Sequence, residues 1–208
     1  MKKSLFLLSL LCFLASAFIA CEEVEEAGKY DNWRERNVAF IDSIKALTGD
    51  NFVIRGEDAD AMELGKLYAI QTGASTSAGA QYVYCKKLVK NANGERPLYV
   101  GYHSNVNAFY CGTYITGEEF DGNFDGYTAT DRDIPLPPVK APTAFDKYAT
   151  FKVSGVVPGW TAALQYMRIG ERWMLYIPYQ SAYGESGQND IPGYSMLTFD
   201  LVLDSFAE

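Results

Sequence analysis

The stretch VVPGWTAALQYMRIG, residues 156–170, limits the fold more than any other part of this chain. Trp160, Ala163, Leu164 and Met167 fall on one face of a short helix that Gly170 stops. Around it the texture is that of strands. YVYCKKLVK, the turn-forming NANGERP and VNAFYCGTYI come first, and YATFKVSGVVPGW leads into the helix. RWMLYIP and SMLTFDLVLDSF then read as two alternating strands around a Tyr- and Gly-rich loop. One short helix among many antiparallel strands predicts an α+β domain.

Upstream, KYDNWRERNVAFIDSIKALTGD places Trp33, Asn37, Phe40, Ile41, Ile44 and Leu47 near helical spacing, and Thr48-Gly49-Asp50 closes the run. This amphipathic helix either packs on its own domain or forms a dimer contact. Residues 51–80 fit neither period, and QTGASTSAGAQ within them reads as a small, polar, mobile loop. DRDIPLPPVKAP reads as extended and exposed.

The chain opens MKKSLFLLSLLCFLASAFIAC: two lysines, a short apolar run, then small residues, an export signal rather than a membrane span. The cysteine after the small-residue site resembles the bacterial lipobox, with Phe18 where Leu is usual. The resemblance implies that residues 1–20 are removed and that Cys21 carries diacylglycerol; a plain secretory signal cut near Ala17 or Ala20 is the alternative. The expected organisation is a lipoprotein signal over 1–20, an acidic tether and helical region over 21–80, and the main domain over 81–208. The expected location is the cell envelope, by a lipid anchor in the membrane, on its periplasmic or surface face.

Charge narrows the partners. Loss of Lys2 and Lys3 leaves 16 of the 18 basic residues against 26 acidic ones, near −10. Nucleic acid is excluded as a partner, since it rewards basic stripes. The early acidity, CEEVEEAGKYD, reads as a solvated tether, or as a companion of surface display. Of four cysteines, Cys12 leaves with the signal and Cys21 is the lipid acceptor. Cys85 and Cys111 remain, without any C-x-x-C spacing, as a disulfide or as two buried thiols.

In the second half the motifs fall in order: V-x-P-G-W, A-L-x-x-M-x-x-G, L-Y-I-P, A-Y-G, I-P-G-x-S and L-x-F-D. Together they resemble the C-terminal half of FKBP-type peptidyl-prolyl isomerases, and FYCGTYITGEEFD resembles that family's upstream segment without a gap. The resemblance covers roughly residues 81–206, and NWRERNVAFIDSI is similar to the leader helix of lipoprotein members from the Bacteroidetes. It implies a curved antiparallel sheet wrapped around one short helix, preceded here by the amphipathic helix.

It also implies a pocket. Tyr110, Phe120, Asp121, Val156, Val157, Trp160, Tyr183, Ile191 and Phe199 match its lining. In that likeness Trp160 is the floor under a proline ring and the Tyr183 hydroxyl binds a substrate carbonyl. The Val157 N–H binds another carbonyl, and Asp121 orients Tyr110 or meets the ligand. Singly, each aromatic residue reads as core. Residues 122–149 are a longer connection than compact members have; Phe145, Tyr148 and Phe151 compete for one aromatic position; and Gln188 stands where some members carry His.

The implied activity is isomerisation of X–Pro bonds in exported proteins, as a folding catalyst or chaperone. The partners are proline-containing polypeptides, with macrolides as possible inhibitors, and no cofactor or metal is expected. A catalytically weak peptide-binding module, with the long connection as a flap over the pocket, is the alternative. A surface glycan binder is a third reading and needs Tyr179, Tyr194 or Tyr127 to form a flat platform. His103 is the chain's single histidine, so a Ser–His or Cys–His relay depends on it alone. In DGNFDG, Asp121, Asn123, Asp125 and Gly126 fit the first half of a calcium loop, but Arg132 stands where the bidentate Glu belongs. A turn-rich pocket flap is the preferred reading of that segment.

Overall fold

The computed structural model describes residues 28–77, 79–101 and 103–207. The expected export signal and the lipidation site Cys21 lie outside the described residues. From Asn32 onward the chain forms one compact unit. No helix among the described residues is long and apolar enough to cross a membrane.

Helix α1 (Trp33–Thr48) ends where Gly49 takes φ 56° and returns its N–H to Lys45. It packs on its own domain. The Trp33 indole N–H donates to Ser195 Oγ at 2.9 Å. Asn37 is buried yet satisfied on both sides of its amide: its NH₂ donates to the Trp33 carbonyl at 2.7 Å, and its oxygen accepts the Met196 N–H at 2.9 Å. The buried seam runs through Trp33, Asn37, Ile44 and Thr48, whereas Leu47, expected on that face, is 73% exposed. Leu47 stands one position before Thr48, about a third of a turn round from the seam.

Strand β1 (Phe52–Val53), helix α2 (Gly56–Ala61), and strands β2 (Leu67–Thr76), β3 (Gly79–Val89), β4 (Asn105–Thr113), β5 (Glu119–Gly122) and β6 (Ala149–Lys152) follow. Helix α3 (Pro158–Tyr166) and strands β7 (Arg172–Ile177) and β8 (Leu197–Phe206) complete the domain. The eight strands form one sheet in the order β1-β2-β3-β7-β8-β4-β5, with β6 also on β4. All pairs are antiparallel except β1–β2. The fold is α+β, as the strand-rich pattern predicts.

The stretch expected to be a mobile loop is instead the end of the β2–β3 hairpin, with a register shift between Gln71 and Ser75. The buried Thr72 hydroxyl is satisfied there, meeting Gln81 O across the hairpin at 3.3 Å and the distant Ser181 Oγ at 2.9 Å. Residue 81 therefore lies inside a strand, and the sheet begins near residue 52 rather than at the expected boundary.

Strand alternation gives the sheet two faces. On the front, Leu175 and Ile177 of β7, Phe199 and Leu201 of β8, and Tyr110 of β4 join α3 in the main core. On the back, Met174 and Tyr176 of β7 join Tyr84, Ile44, Met196 and Tyr127. Every residue of β7 is buried, so the expected alternation between buried and exposed positions does not hold there. The reason is cover: α1 lies on part of the back face, and the long connection lies on the rest.

That connection leaves from one edge of β4 and returns to it. β5 pairs with Cys111–Thr113 and β6 with Asn105–Ala108. In between, Phe124, Tyr127 and Ala129 are buried against the back of the sheet. The Tyr127 N–H donates to Asp200 Oδ2 at 2.7 Å, and the Ala129 N–H to Thr113 Oγ1 at 3.0 Å. Under this strap Arg172 Nε donates to Asp200 Oδ1 at 2.8 Å, a second guanidinium nitrogen donates to the Lys140 carbonyl, and the cation lies 5.1 Å from the Tyr127 ring centroid. Asp200 is 0% and Arg172 4% exposed, so each charge depends on the other.

Cys85 and Cys111 are both buried free thiols. Cys85 sits in the front core, whereas Cys111 is on the back, beside Gly126 and Asp200. Burial pushes the Cys85 thiol well up and the Cys111 thiol up to about 11.

Candidate functional site: an aromatic cup on the front face

The site is built around the N-terminus of α3. Pro158 occupies the first helical position, where its missing N–H costs nothing. Gly159 follows because a Cβ there would stand 2.5 Å from Ile177 Cγ2; the helix can lie this close to β7 only with glycine. That close approach sets Trp160, 3% exposed, at the bottom of a cavity of about 730 Å³. Three rings stand edge-on around the indole: Tyr110 at 5.5 Å, Phe151 at 5.1 Å and Phe199 at 5.1 Å between centroids. Phe120 extends the wall, 5.5 Å from Phe199. Gly112 lies opposite Phe199 on β8 and Asp121 on β5, and a Cβ there would meet Phe199 Cε1 at 2.7 Å and Phe120 Cζ at 2.9 Å.

The rim is a tight loop. Gln188 and Ile191 exchange backbone hydrogen bonds at 3.0 and 2.9 Å, with Gly187 at φ 72° and Asn189 at φ 50°. The Tyr114 hydroxyl holds the loop at the Asp190 carbonyl, 3.3 Å away. Ile191 thereby lines the cavity opposite Val156 and Val157. Val157 is the N-cap of α3, so its N–H stands ahead of the helical ladder.

Polar groups meet this space at Asp121, Tyr110 and Tyr183 on the wall and at Gln188, Asn189 and Asp190 on the rim. Burial first, and then the neighbouring Asp121 carboxylate, push the Tyr110 hydroxyl well up. Tyr183 is also raised, first by burial and then by the Asp121 charge. Both phenols therefore remain proton donors at neutral pH. The Trp160 indole N–H is buried without a hydrogen-bond partner among the described residues.

All nine residues expected to line a pocket do line this cavity: Tyr110, Phe120, Asp121, Val156, Val157, Trp160, Tyr183, Ile191 and Phe199. Gly155, Asn189 and Asp190 line it as well and were not singled out; Gln188 is on the rim. Of the three competing aromatics, Phe151 faces the cup, while Phe145 is 95% and Tyr148 51% exposed. Period-two alternation in ATFK was the signal that could have selected Phe151, because it carries one face of β6 inward.

Several expectations about the surroundings fail. The connection after Asp121 is not a flap: no residue from 122 to 148 lines the cavity, and its anchor, Asp200, is one residue from Phe199 and so on the opposite face. The calcium reading loses its ligands one by one. Asp121 is turned to Tyr110; Asn123 accepts the Tyr110 N–H at 2.8 Å and donates to Ala108 O at 3.1 Å; Asp125 pairs with Lys140 at 3.0 Å. Asp131 caps the Thr128 N–H at 2.7 Å. Among the described residues no three His, Cys, Asp or Glu side chains stand together as a metal site. The flat platform for a glycan is also missing: Tyr127 is 4% exposed, and the Tyr179 and Tyr194 rings meet at 64°. His103 stacks on Phe206 at 3.8 Å and does not line the cup.

A family model described as FKBP-type peptidyl-prolyl cis-trans isomerase matches residues 100–204. The chain belongs to this family. It is 32% identical over 129 residues to the FKBP-type peptidyl-prolyl cis-trans isomerase FkpA of Aeromonas hydrophila, covering 62% of this chain and 38% of that protein. It is 51% identical over 63 residues to the macrophage infectivity potentiator of Trypanosoma cruzi, covering 30% of this chain and 32% of that one. Against the outer membrane protein MIP of Legionella longbeachae it is 35% identical over 107 residues, covering 51% and 35%. The chain thus spans about a third of the length of each of these relatives. The FKBP family segment contains the whole cup, while β1, α2, β2 and β3 precede it.

Proposed function

We propose that the protein is a peptidyl-prolyl cis-trans isomerase acting on X–Pro bonds of exported proteins. The observation that carries this reading is the cup itself: an indole floor with rings standing edge-on around it, Asp121 and two phenols on the wall, and a polar rim of Gln188, Asn189 and Asp190.

Rotation about an X–Pro amide faces a barrier of ~18–20 kcal/mol and takes tens to hundreds of seconds unaided. At the barrier top the C–N bond is twisted, amide resonance is lost, and the carbonyl loses part of its charge separation. With the proline ring on Trp160 among Tyr110, Phe151 and Phe199, a dry aromatic wall favours that less polar state over the planar amide. The Tyr183 hydroxyl and the Val157 N–H hold flanking carbonyls while the imide carbonyl swings. Asp121 keeps the Tyr110 ring upright. No bond is made or broken, so neither nucleophile nor cofactor enters the scheme.

We further infer that the chain works in the cell envelope, anchored through Cys21. The lysine-led apolar opening that ends at Cys21 supports this, as does the name of the outer membrane relative. Metabolic labelling with a clickable fatty acid checks it: label in the wild type and none in Cys21→Ser is the expected result.

The activity is tested by isomerisation of a proline tetrapeptide panel with and without a pocket-blocking macrolide. Inhibitable turnover is expected. A folded protein that binds the macrolide yet turns nothing over would make the cup a binding module.

A further inference from the structure

Resting on the isomerase reading, we propose that the substrate chain leaves the proline cup over Val156 and continues along a trough built by the region that precedes the family segment. This makes the N-terminal part of the domain a selector for long, unfolded polypeptides with a large apolar side chain some residues from the proline.

The trough is a chain of cavities with shared walls. Val156 lines both the cup and a second cavity of about 820 Å³ beside α3. Ile54, Gln71 and Tyr166 line that cavity and also a third, of about 400 Å³, that ends on Phe52 and Tyr82. Ile54, Gln71, Phe52 and Tyr82 all come before residue 100, where the family match starts. The opposite wall is α3, the same helix whose first turn sets the cup floor, so the two sites are held in one rigid geometry.

The surface fits a polypeptide rather than a compact ligand. Ile54 is 74%, Tyr99 51% and Phe52 45% exposed, three large apolar side chains along one path. Amides and hydroxyls lie between them: Gln71, Ser154 and Gln165 line the second cavity and can meet peptide groups. Tyr166 is fixed for its place by donating its hydroxyl to the Ile54 carbonyl at 2.9 Å. Arg55 is the path's one cation; its side chain is 72% exposed, 3.5 Å from Asp58, so the charge can stay in solvent beside an apolar segment. Val156 lines both cavities, and an extended chain passing over it advances by about 3.3 Å per residue.

The test compares the full chain with Ile54→Glu and Tyr99→Ala on two substrates: a proline tetrapeptide, and a disulfide-free unfolded protein whose refolding waits on one X–Pro bond. Both side chains are exposed, so folding is retained. The variants should keep the tetrapeptide kcat/KM within about twofold, while KM for the unfolded protein rises roughly tenfold at unchanged kcat, as expected when one apolar side chain loses its contact. Equal losses on both substrates, or none on the long one, would overturn the trough. If the wild type does not turn over the tetrapeptide, the isomerase reading fails, and the trough is judged by anisotropy of the labelled unfolded protein. There, roughly tenfold weaker binding by Ile54→Glu supports it and equal binding refutes it. Sedimentation of the wild type as a dimer and of Ile54→Glu as a monomer would mean that a second copy fills the trough, which also overturns the proposal.

Discussion

The two faces of the central sheet are both buried, and they differ most at the neighbouring β8 residues Phe199 and Asp200. The front buries rings and leaves a gap among them, so that Trp160, Phe199 and Tyr110 form a wall without a partner pressed against it. The back holds Arg172 and Asp200 under Tyr127 and the Lys140 carbonyl, while the front's own buried pair, Lys87–Glu171 at 2.7 Å, lies outside the cup. Phe199 and Asp200 are neighbours in sequence and belong to different worlds. The lesson is that a long insertion beside a binding site need not serve it. Here the insertion braces the sheet from behind, which lets the front remain open.

The largest effect should come from the back. Asp200→Ala leaves a buried guanidinium without its carboxylate and should cost about 3–5 kcal/mol in urea unfolding. Turnover per folded molecule should stay within about twofold, and a selective loss of turnover would break the division between the faces. Trp160→Ala should cost a similar ~3–5 kcal/mol but take the function with it. A roughly 100-fold fall in kcat/KM, about 2.7 kcal/mol, is expected from stopped-flow isomerisation.

Gly112→Ala sharpens the comparison at the cup wall, because its methyl group collides with Phe199 and Phe120. Overpacking of about 1–3 kcal/mol is expected, with weakened macrolide binding by calorimetry. Tyr183→Phe should be the mirror image of Asp200→Ala: stability within about 0.5 kcal/mol and kcat/KM down roughly tenfold, the worth of one hydrogen bond. Unchanged kinetics in Tyr183→Phe would remove that hydroxyl from the mechanism.

The smallest effect is alkaline. The Tyr110 hydroxyl is raised in the folded protein, mainly by burial and then by Asp121. Above about pH 10 the unfolded chain releases this proton first. The stabilisation is therefore full below that pH and is lost as pH rises beyond it. Urea midpoints should fall between pH 10 and 11, and less steeply in Tyr110→Phe.

Much of the front face is legible in the sequence, because its information is local. Pro158-Gly159-Trp160 carries the helix start, the close approach and the cup floor in three consecutive residues. The cup lining follows from family likeness, each residue at its own motif. The back face is another matter. Tyr127 meets Asp200 across 73 positions, and nothing in DGNFDGYTATD points to that partner. Its turn residues read as a pocket flap in preference to a calcium loop, and tertiary contacts make it neither. The small, polar QTGASTS hides a strand for a similar reason: Thr72 is satisfied by Ser181, 109 positions away, rather than by an apolar pattern. Two-residue β1 is too short for any period to mark.

The most direct test of the account is turnover of a proline tetrapeptide by Tyr183→Phe, Asp200→Ala and the wild type, each at matched folded concentration. The account predicts macrolide-inhibitable catalysis in the wild type, a roughly tenfold loss in Tyr183→Phe and near-wild-type rates in folded Asp200→Ala. No catalysis by the folded wild type, or a rate that follows Asp200 rather than Tyr183, would contradict the placement of function on the front face.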